Sequence, residues 1–189
     1  LVTRDDYFES AMRILGTAGA RGLKIAPLCK SLKVTSGSFY GYFGSLDGFV
    51  VELMAYWEEQ QTERIVRLSN STADPTERIH LMKQLASGLP HEAEAAIRSW
   101  AHTNPTVGEA QKRVDERRVK GLANVLLPAV GSRTEAKRLA IMGITLLVGL
   151  QQWRSPVKKK DFDLLFDEYE LLVLSRLSDE AAATMPGAV

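Results

Sequence analysis

Gly22-Leu23-Lys24-Ile25-Ala26-Pro27-Leu28-Cys29-Lys30-Ser31-Leu32-Lys33-Val34-Thr35-Ser36-Gly37-Ser38-Phe39-Tyr40-Gly41-Tyr42-Phe43 reads as two short helices joined by a tight turn. Proline suits the first position of a helix and biases the preceding residue toward extended backbone. The first helix of the pair is therefore expected to start at Pro27, behind the weak cap Ala26, and to end near Leu32. Lys33 and Val34 form the turn, and Thr35 caps the next helix, which ends near Tyr42. Two short helices so joined, in a basic segment, predict a helix-turn-helix. At 100° per residue, Phe39, Tyr40 and Phe43 are expected to pack inward, and Gly37, Ser38, Gly41 and Tyr42 to face out. Two glycines inside one short helix cost about 1 kcal/mol each relative to alanine. A backbone stripped of Cβ atoms allows another surface to approach closely. Ser38 and Tyr42 carry hydroxyls suited to base edges or phosphates. The blander reading is a loose helix held only by its aromatic contacts.

Charge favours the first reading. The whole chain has a formal net charge of only +1. Yet no acidic residue occurs between Glu9 and Asp47, where Arg13, Arg21, Lys24, Lys30 and Lys33 all fall. A local basic patch of this kind suits a polyanion such as the DNA backbone. The single cysteine, Cys29, excludes an intrachain disulfide and fits a reducing compartment. Arg4, Asp5, Asp6 and Glu9 break any leader-like apolar run, so the expected location is the cytoplasm. The longest apolar run, Leu139 to Leu150, is too short to cross a bilayer as a helix, and no membrane partner is expected.

Working outward, helical spacing continues through most of the chain and strand signals are almost absent. The expected fold is all-α with about nine helices. Thr3 caps a first helix over roughly 4–17, with Phe8, Met12 and Leu15 on its inner stripe, and Gly19 and Gly22 punctuate its end. Ser45 caps a long fourth helix running to about Asn70. Later helices are expected at about 75–88, 91–102, 105–129, 133–153 and 161–177, with prolines at or near their borders. The layout is a three-helix DNA-binding domain at 1–46, a ligand-binding and dimerisation domain at 47–180, and a frayed tail at 181–189.

The segment Leu139 to Leu150 is apolar on all sides, so it must be covered all round. The next helix helps with Phe162, Leu165, Phe166 and Tyr169, and a second copy of the chain would complete that cover; the alternative is one fully buried core helix in a monomer. Leu139, Met142, Leu146, Leu150, Phe162, Phe166 and Tyr169 are the expected dimer residues, forming a four-helix interface.

The stretch quoted above resembles the DNA-binding segment of the TetR family of bacterial transcriptional regulators. Val34, Thr35, Gly37, Ser38, Phe39, Tyr40 and Phe43 match in register, and the resemblance covers about the first 60 residues. It implies that Thr35, Ser36, Gly37, Ser38, Gly41 and Tyr42 touch double-stranded operator DNA, and that Tyr40 meets a phosphate. It also implies a homodimer and a repressor released by a small molecule bound between the fourth and later helices. Trp57, Met82, Trp100, His102 and Met142 are candidates to line that site, whose effector the sequence does not name. The chain has Leu46 where the family usually has a lysine, so Lys24, Lys30 or Lys33 are the candidates to anchor phosphates.

Enzyme readings find little support. His91-Glu92 starts like a zinc-protease motif, but position 95 is Ala95 rather than a histidine. No phosphate loop, dinucleotide fingerprint or Cys-x-x-Cys is present, and no cofactor or metal is expected. Asp115 with Arg118, and Glu116 with Lys120, read as ordinary helix-surface pairs. The runner-up is an all-helical small-molecule binding protein with a vestigial helix-turn-helix.

Overall fold

The computed structural model describes residues 1–183. Its described residues form α-helices and connecting turns: α1 (Arg4–Gly22), α2 (Ile25–Leu32), α3 (Ser36–Phe43), α4 (Leu46–Glu58), α5 (Arg64–Ser69), α6 (Pro75–Ser87), α7 (His91–Trp100), α8 (Pro105–Val130), α9 (Arg133–Trp153) and α10 (Lys159–Ala183). A π-helical turn, Glu59–Glu63, joins α4 to α5, so the expected long fourth helix is one rod with a widened turn inside it.

The caps explain most boundaries. Thr3 accepts the Asp6 N–H, and the Asp6 carboxylate accepts the Thr3 N–H at 2.6 Å, a reciprocal capping box. Those hydrogen bonds hold the Asp6 carboxyl below its ordinary pKa. Gly19 takes φ +65°, which kinks α1 after the expected end near Thr17, and one further turn runs on to Gly22. Thr35, Ser45, Asp74, Asn104 and Ser132 each accept a backbone N–H at the start of their helices.

Two boundaries correct the expectation. The second helix begins at Ile25, not Pro27, and Lys24 caps it without a side-chain bond. Pro27 therefore sits inside the first turn, where no intrahelical partner for its missing N–H is needed. At the other end of the chain, α10 continues to Ala183, past the expected limit at 177. Most of the expected frayed tail, 184–189, lies outside the described residues.

Two apolar clusters organise the molecule. The first joins Tyr7, Phe8, Leu15, Leu28, Phe39, Phe43, Phe49, Leu53 and Trp57 to Ile97 of α7 and Val107, Ala110 and Val114 of α8. The second gathers Ile79, Leu122, Leu126, Leu139, Leu147, Leu150, Phe162, Phe166 and Val173 from α6, α8, α9 and α10. Thus α8 runs through both. Among the described residues no helix is long and apolar enough to cross a membrane.

Candidate nucleic-acid interface and internal cavity

The turn between α2 and α3 rests on Lys33, whose left-handed backbone (φ 57°) closes α2 while its side chain stays exposed. Thr35 then turns the chain into α3 by accepting from Ser38 N. Phe39 and Phe43 are buried against Tyr7, Phe8 and Phe49 in edge-on and tilted contacts.

The expected faces of α3 need one exchange. Tyr40 was placed inward by spacing, but it points out, with half of its surface exposed. Tyr42 was placed outward, but its ring packs on Tyr7 and Phe43 and its hydroxyl donates to the Val2 carbonyl at 2.8 Å. Arg4 lies over the same ring and donates to the Tyr42 carbonyl at 2.7 Å, while its other nitrogen pairs with Glu52. At 100° per residue Tyr40 and Tyr42 lie about equally far to either side of the Phe39–Phe43 axis, so the side on which Tyr7 and the Val2 carbonyl stand decides which of them turns in. Ser38 is intermediate, and its hydroxyl accepts from Tyr7 at 3.0 Å.

What remains outward is Thr35, Ser36, Gly37, Tyr40 and Gly41, all exposed. A Cβ placed on Gly41 would meet no atom within 4 Å, and one on Gly37 would meet only the Thr35 hydroxyl at 3.6 Å. Neither glycine is therefore required by packing inside the chain. Lys24, Lys30 and Lys33, along α2 and the turn that leads into α3, are exposed as well. Leu46 is half-buried on the first cluster, so the start of α4 contributes packing rather than a cation. The arrangement offers a low, hydroxyl-bearing ridge flanked by lysines, which suits a duplex groove and its phosphates.

A second feature lies at the far side of the fourth rod. A partly open cavity of about 70 Å³ is walled by Gln61, Thr62, Ile65 and Val66 of the rod, Ile79, Met82, Lys83 and Ala86 of α6, and residues of α8, α9 and α10. Of the sequence candidates for such a site, only Met82 lines it. Trp57 is buried in the first cluster, Trp100 packs at that cluster's edge, and His102 and Met142 are exposed.

Between the first cluster and the cavity runs a buried polar chain that was not among the expected site residues. Arg118 of α8 donates to both carboxylate oxygens of Glu94 in α7, at 2.6 and 3.0 Å. It also donates to the Thr62 hydroxyl at 3.1 Å and to the Gln61 carbonyl at 2.9 Å, which fixes the π turn from outside. Glu94 further accepts from Trp57 Nε1 at 3.1 Å and from Gln151 at 2.8 Å. Gln151 also donates to His91 Nδ1 at 3.1 Å, so the His91 Nε2–H faces the Ser87 carbonyl at 3.2 Å. Burial pushes the Glu94 carboxyl up, but the Arg118 charge and these donors outweigh it and hold the pKa below the ordinary value. The surface pair expected between Asp115 and Arg118 does not form; Asp115 pairs with Arg98 at 2.7 Å instead. A signal was available, since Glu94 interrupts the apolar stripe of Ala93 and Ile97.

The expected dimer residues divide. Leu139, Leu150, Phe162, Phe166 and Tyr169 are buried in the chain's own second cluster and offer nothing to another copy. Helices α8 and α10 cover that side of α9 within the chain. Leu146 is half-buried, and Met142 is exposed. The apolar residues left uncovered are Ile141, Met142 and Trp153 on α9 with Leu164 and Leu171 on α10. Gly149 lies on the same face, with open space at its Cβ position.

No family model and no curated protein sequence matches the chain. Solved structures do. A TetR transcriptional regulator from Legionella pneumophila superposes with a TM-score of 0.74 at 14% identity, covering 92% of this chain and 96% of that one. A transcriptional regulator from Saccharomonospora viridis in complex with choline gives 0.73 at 16% identity, covering 88% and 94%. The regulator FadR from Bacillus subtilis in complex with stearoyl-CoA gives 0.70 at 15% identity, covering 92% and 99%. At such identities the likeness is one of architecture, and it extends over almost the whole of each chain. The helix order, the N-terminal helix-turn-helix and the helical body behind it are those of the TetR-type transcriptional regulator fold.

Proposed function

We propose that the protein is a cytoplasmic DNA-binding transcriptional regulator, a homodimer that represses by holding operator DNA and lets go when a small molecule occupies the cavity beside the π turn. The observation that carries the reading is the outer face of α3. It keeps two glycines that no internal contact requires, at a cost to helix stability, and sets Thr35, Ser36 and Tyr40 around them beside exposed lysines. Thr35, Ser36, Gly37, Tyr40 and Gly41 contact the duplex; Ser38 and Tyr42 support the ridge from behind. Lys24 and Lys33 take phosphates in place of the absent cation at Leu46.

The uncovered stripe of Ile141, Met142, Gly149 and Trp153, with Leu164 and Leu171, is the dimer face, and Leu146 borders it. A two-fold dimer sets two α3 helices against half-sites about one helical turn apart or somewhat more. Ligand control follows from position: Gln61 and Thr62 belong both to the cavity wall and to the rod whose other end carries α3. Two of the structural neighbours hold ligands as different as choline and stearoyl-CoA, which supports a fold whose body adapts to its effector.

Selection of bound duplexes from a random pool, followed by anisotropy titration of the enriched sequence, tests the reading. Enrichment of a palindromic site, with affinity lost in Gly41→Leu, supports it. Failure to retain any duplex at low salt would leave a helical small-molecule binding protein as the better account.

A further inference from the structure

The cavity is built for one chemical class of ligand. Its floor and walls are Ile65, Val66, Ile79, Met82, Leu122, Leu126, Ile144, Leu147 and Phe166. Three charged side chains reach it, and each is already matched within the protein. Arg118 is held by Glu94, Thr62 and the Gln61 carbonyl. Lys83 lies between Glu170 and Asp167, the latter at 3.0 Å. The other oxygen of Glu170 faces His80 at 3.3 Å. The Tyr169 hydroxyl is directed away, donating to the Leu139 carbonyl at 2.6 Å. A charged ligand would have to enter a largely apolar space without a counter-charge, or draw Arg118 or Lys83 from its carboxylate and strand that group. Among the described residues, the lining group with no side-chain hydrogen bond of its own is neutral, the Gln61 carboxamide.

Size narrows the class further. An engineered apolar cavity of about 150 Å³ stays dry and admits benzene. The present cavity, about 70 Å³, is smaller, so a ring-sized guest must displace a wall. Met82, with its unbranched thioether, is the yielding part of one wall. Gln61 and Thr62 of the π turn also line the cavity, and π turns inside helices commonly mark functional sites.

We infer that the cavity takes a small, uncharged, largely apolar molecule, of about one ring or a short branched chain, with Met82 and the π turn among the groups that line it. The inference deepens the reading above and rests on it only for the effect on DNA. Toluene, benzoate and benzylammonium share a ring and differ in charge, and they serve as probes on the full chain. The expected result is that toluene raises the melting temperature and neither ion does. Ile144→Phe, which fills the cavity, should remove the toluene shift, and Ala86→Leu provides the same test if that variant fails to fold. Toluene should also weaken operator binding by about 5–150-fold, the usual range of coupling between two sites. Stabilisation by benzoate or benzylammonium that either filling variant abolishes overturns the inference, as does the absence of stabilisation by toluene. Stabilisation by toluene with unchanged operator affinity upholds the ligand class and overturns ligand release.

Discussion

Arg118 and Glu94 form a two-point ion pair between α8 and α7 in which the arginine side chain keeps 10% of its exposure and the carboxylate 3%. Such a pair is expensive to break from one side, because the surviving charge stays buried without its partner. Glu94→Gln is therefore expected to lower stability by about 3–5 kcal/mol. Urea unfolding of that variant against the parent checks the figure. Replacing both residues together, Glu94→Leu with Arg118→Met, should recover only the part due to the stranded charge, because Trp57 Nε1 and Gln151 still lose their acceptor.

The same pair sets an acid limit. The Glu94 pKa is depressed in the folded state, so its contribution is fully present above the ordinary carboxylate value and is lost as pH falls through the folded one. Melting temperature should fall on acidification below about pH 4.5, the usual glutamate range. Removing the carboxylate in Glu94→Gln should make that limb shallower, while the neutral-pH stability is already reduced. An unchanged acid limb would show that other carboxylates dominate it.

On α3, stability and binding are expected to move in opposite directions. Gly41→Leu meets open space, so the helix should gain about 0.5–1 kcal/mol from the loss of glycine. The same side chain stands on the face assigned to the duplex and should abolish specific operator binding. Tyr42→Phe should do the reverse, losing the bond to the Val2 carbonyl, worth about 1 kcal/mol, while leaving operator affinity nearly intact. Paired thermal melts and anisotropy titrations separate the two effects.

Salt dependence tests the lysines. Each phosphate neutralised contributes about −0.9 to the slope of log affinity against log salt on duplex DNA. Lys24→Ala and Lys33→Ala should each flatten that slope by up to about one unit. Lysines that are merely solvated would leave it unchanged.

The proposed dimer face predicts a contrast between neighbours on one helix. Met142→Glu places a charge on the uncovered stripe and should shift the protein to monomer in light scattering without unfolding it. Leu139→Ala, three residues earlier but inside the chain's own cluster, should cost about 2–5 kcal/mol of folding stability instead. Dissociation by Leu139→Ala with the fold intact would contradict this division of α9.

How much of this could be read from the amino acids depends on the range of the interaction. Local rules located the helices well, because caps such as Thr35, Ser45 and Ser132 act within three residues. They erred where a neighbour several helices away decides. Tyr42 turns inward because Tyr7 and the Val2 carbonyl receive it. Arg118 ignores Asp115 on its own helix because Glu94 waits on α7. The apolar stretch of α9 is legible as buried, but which chain buries it depends on where α8 and α10 lie. The cavity had almost no signature, since its lining comes from five separated segments and only their assembly leaves a space. The register of α3 with the TetR segment was the strongest clue because it is a continuous local pattern.

The first apolar cluster has a final implication, for engineering. Its members run without interruption from Phe39 of α3 through Leu15 of α1 to Ile97 of α7, and Gly16 faces the Ala93 backbone closely enough that an added Cβ would sit 3.5 Å away. The N-terminal helix-turn-helix is thus a wedge rooted in the body, not a module hung from a tether. Transplanting only 1–46 onto another helical body would expose the apolar side of α1, and a working chimaera must carry α7 and the first turns of α8 with it.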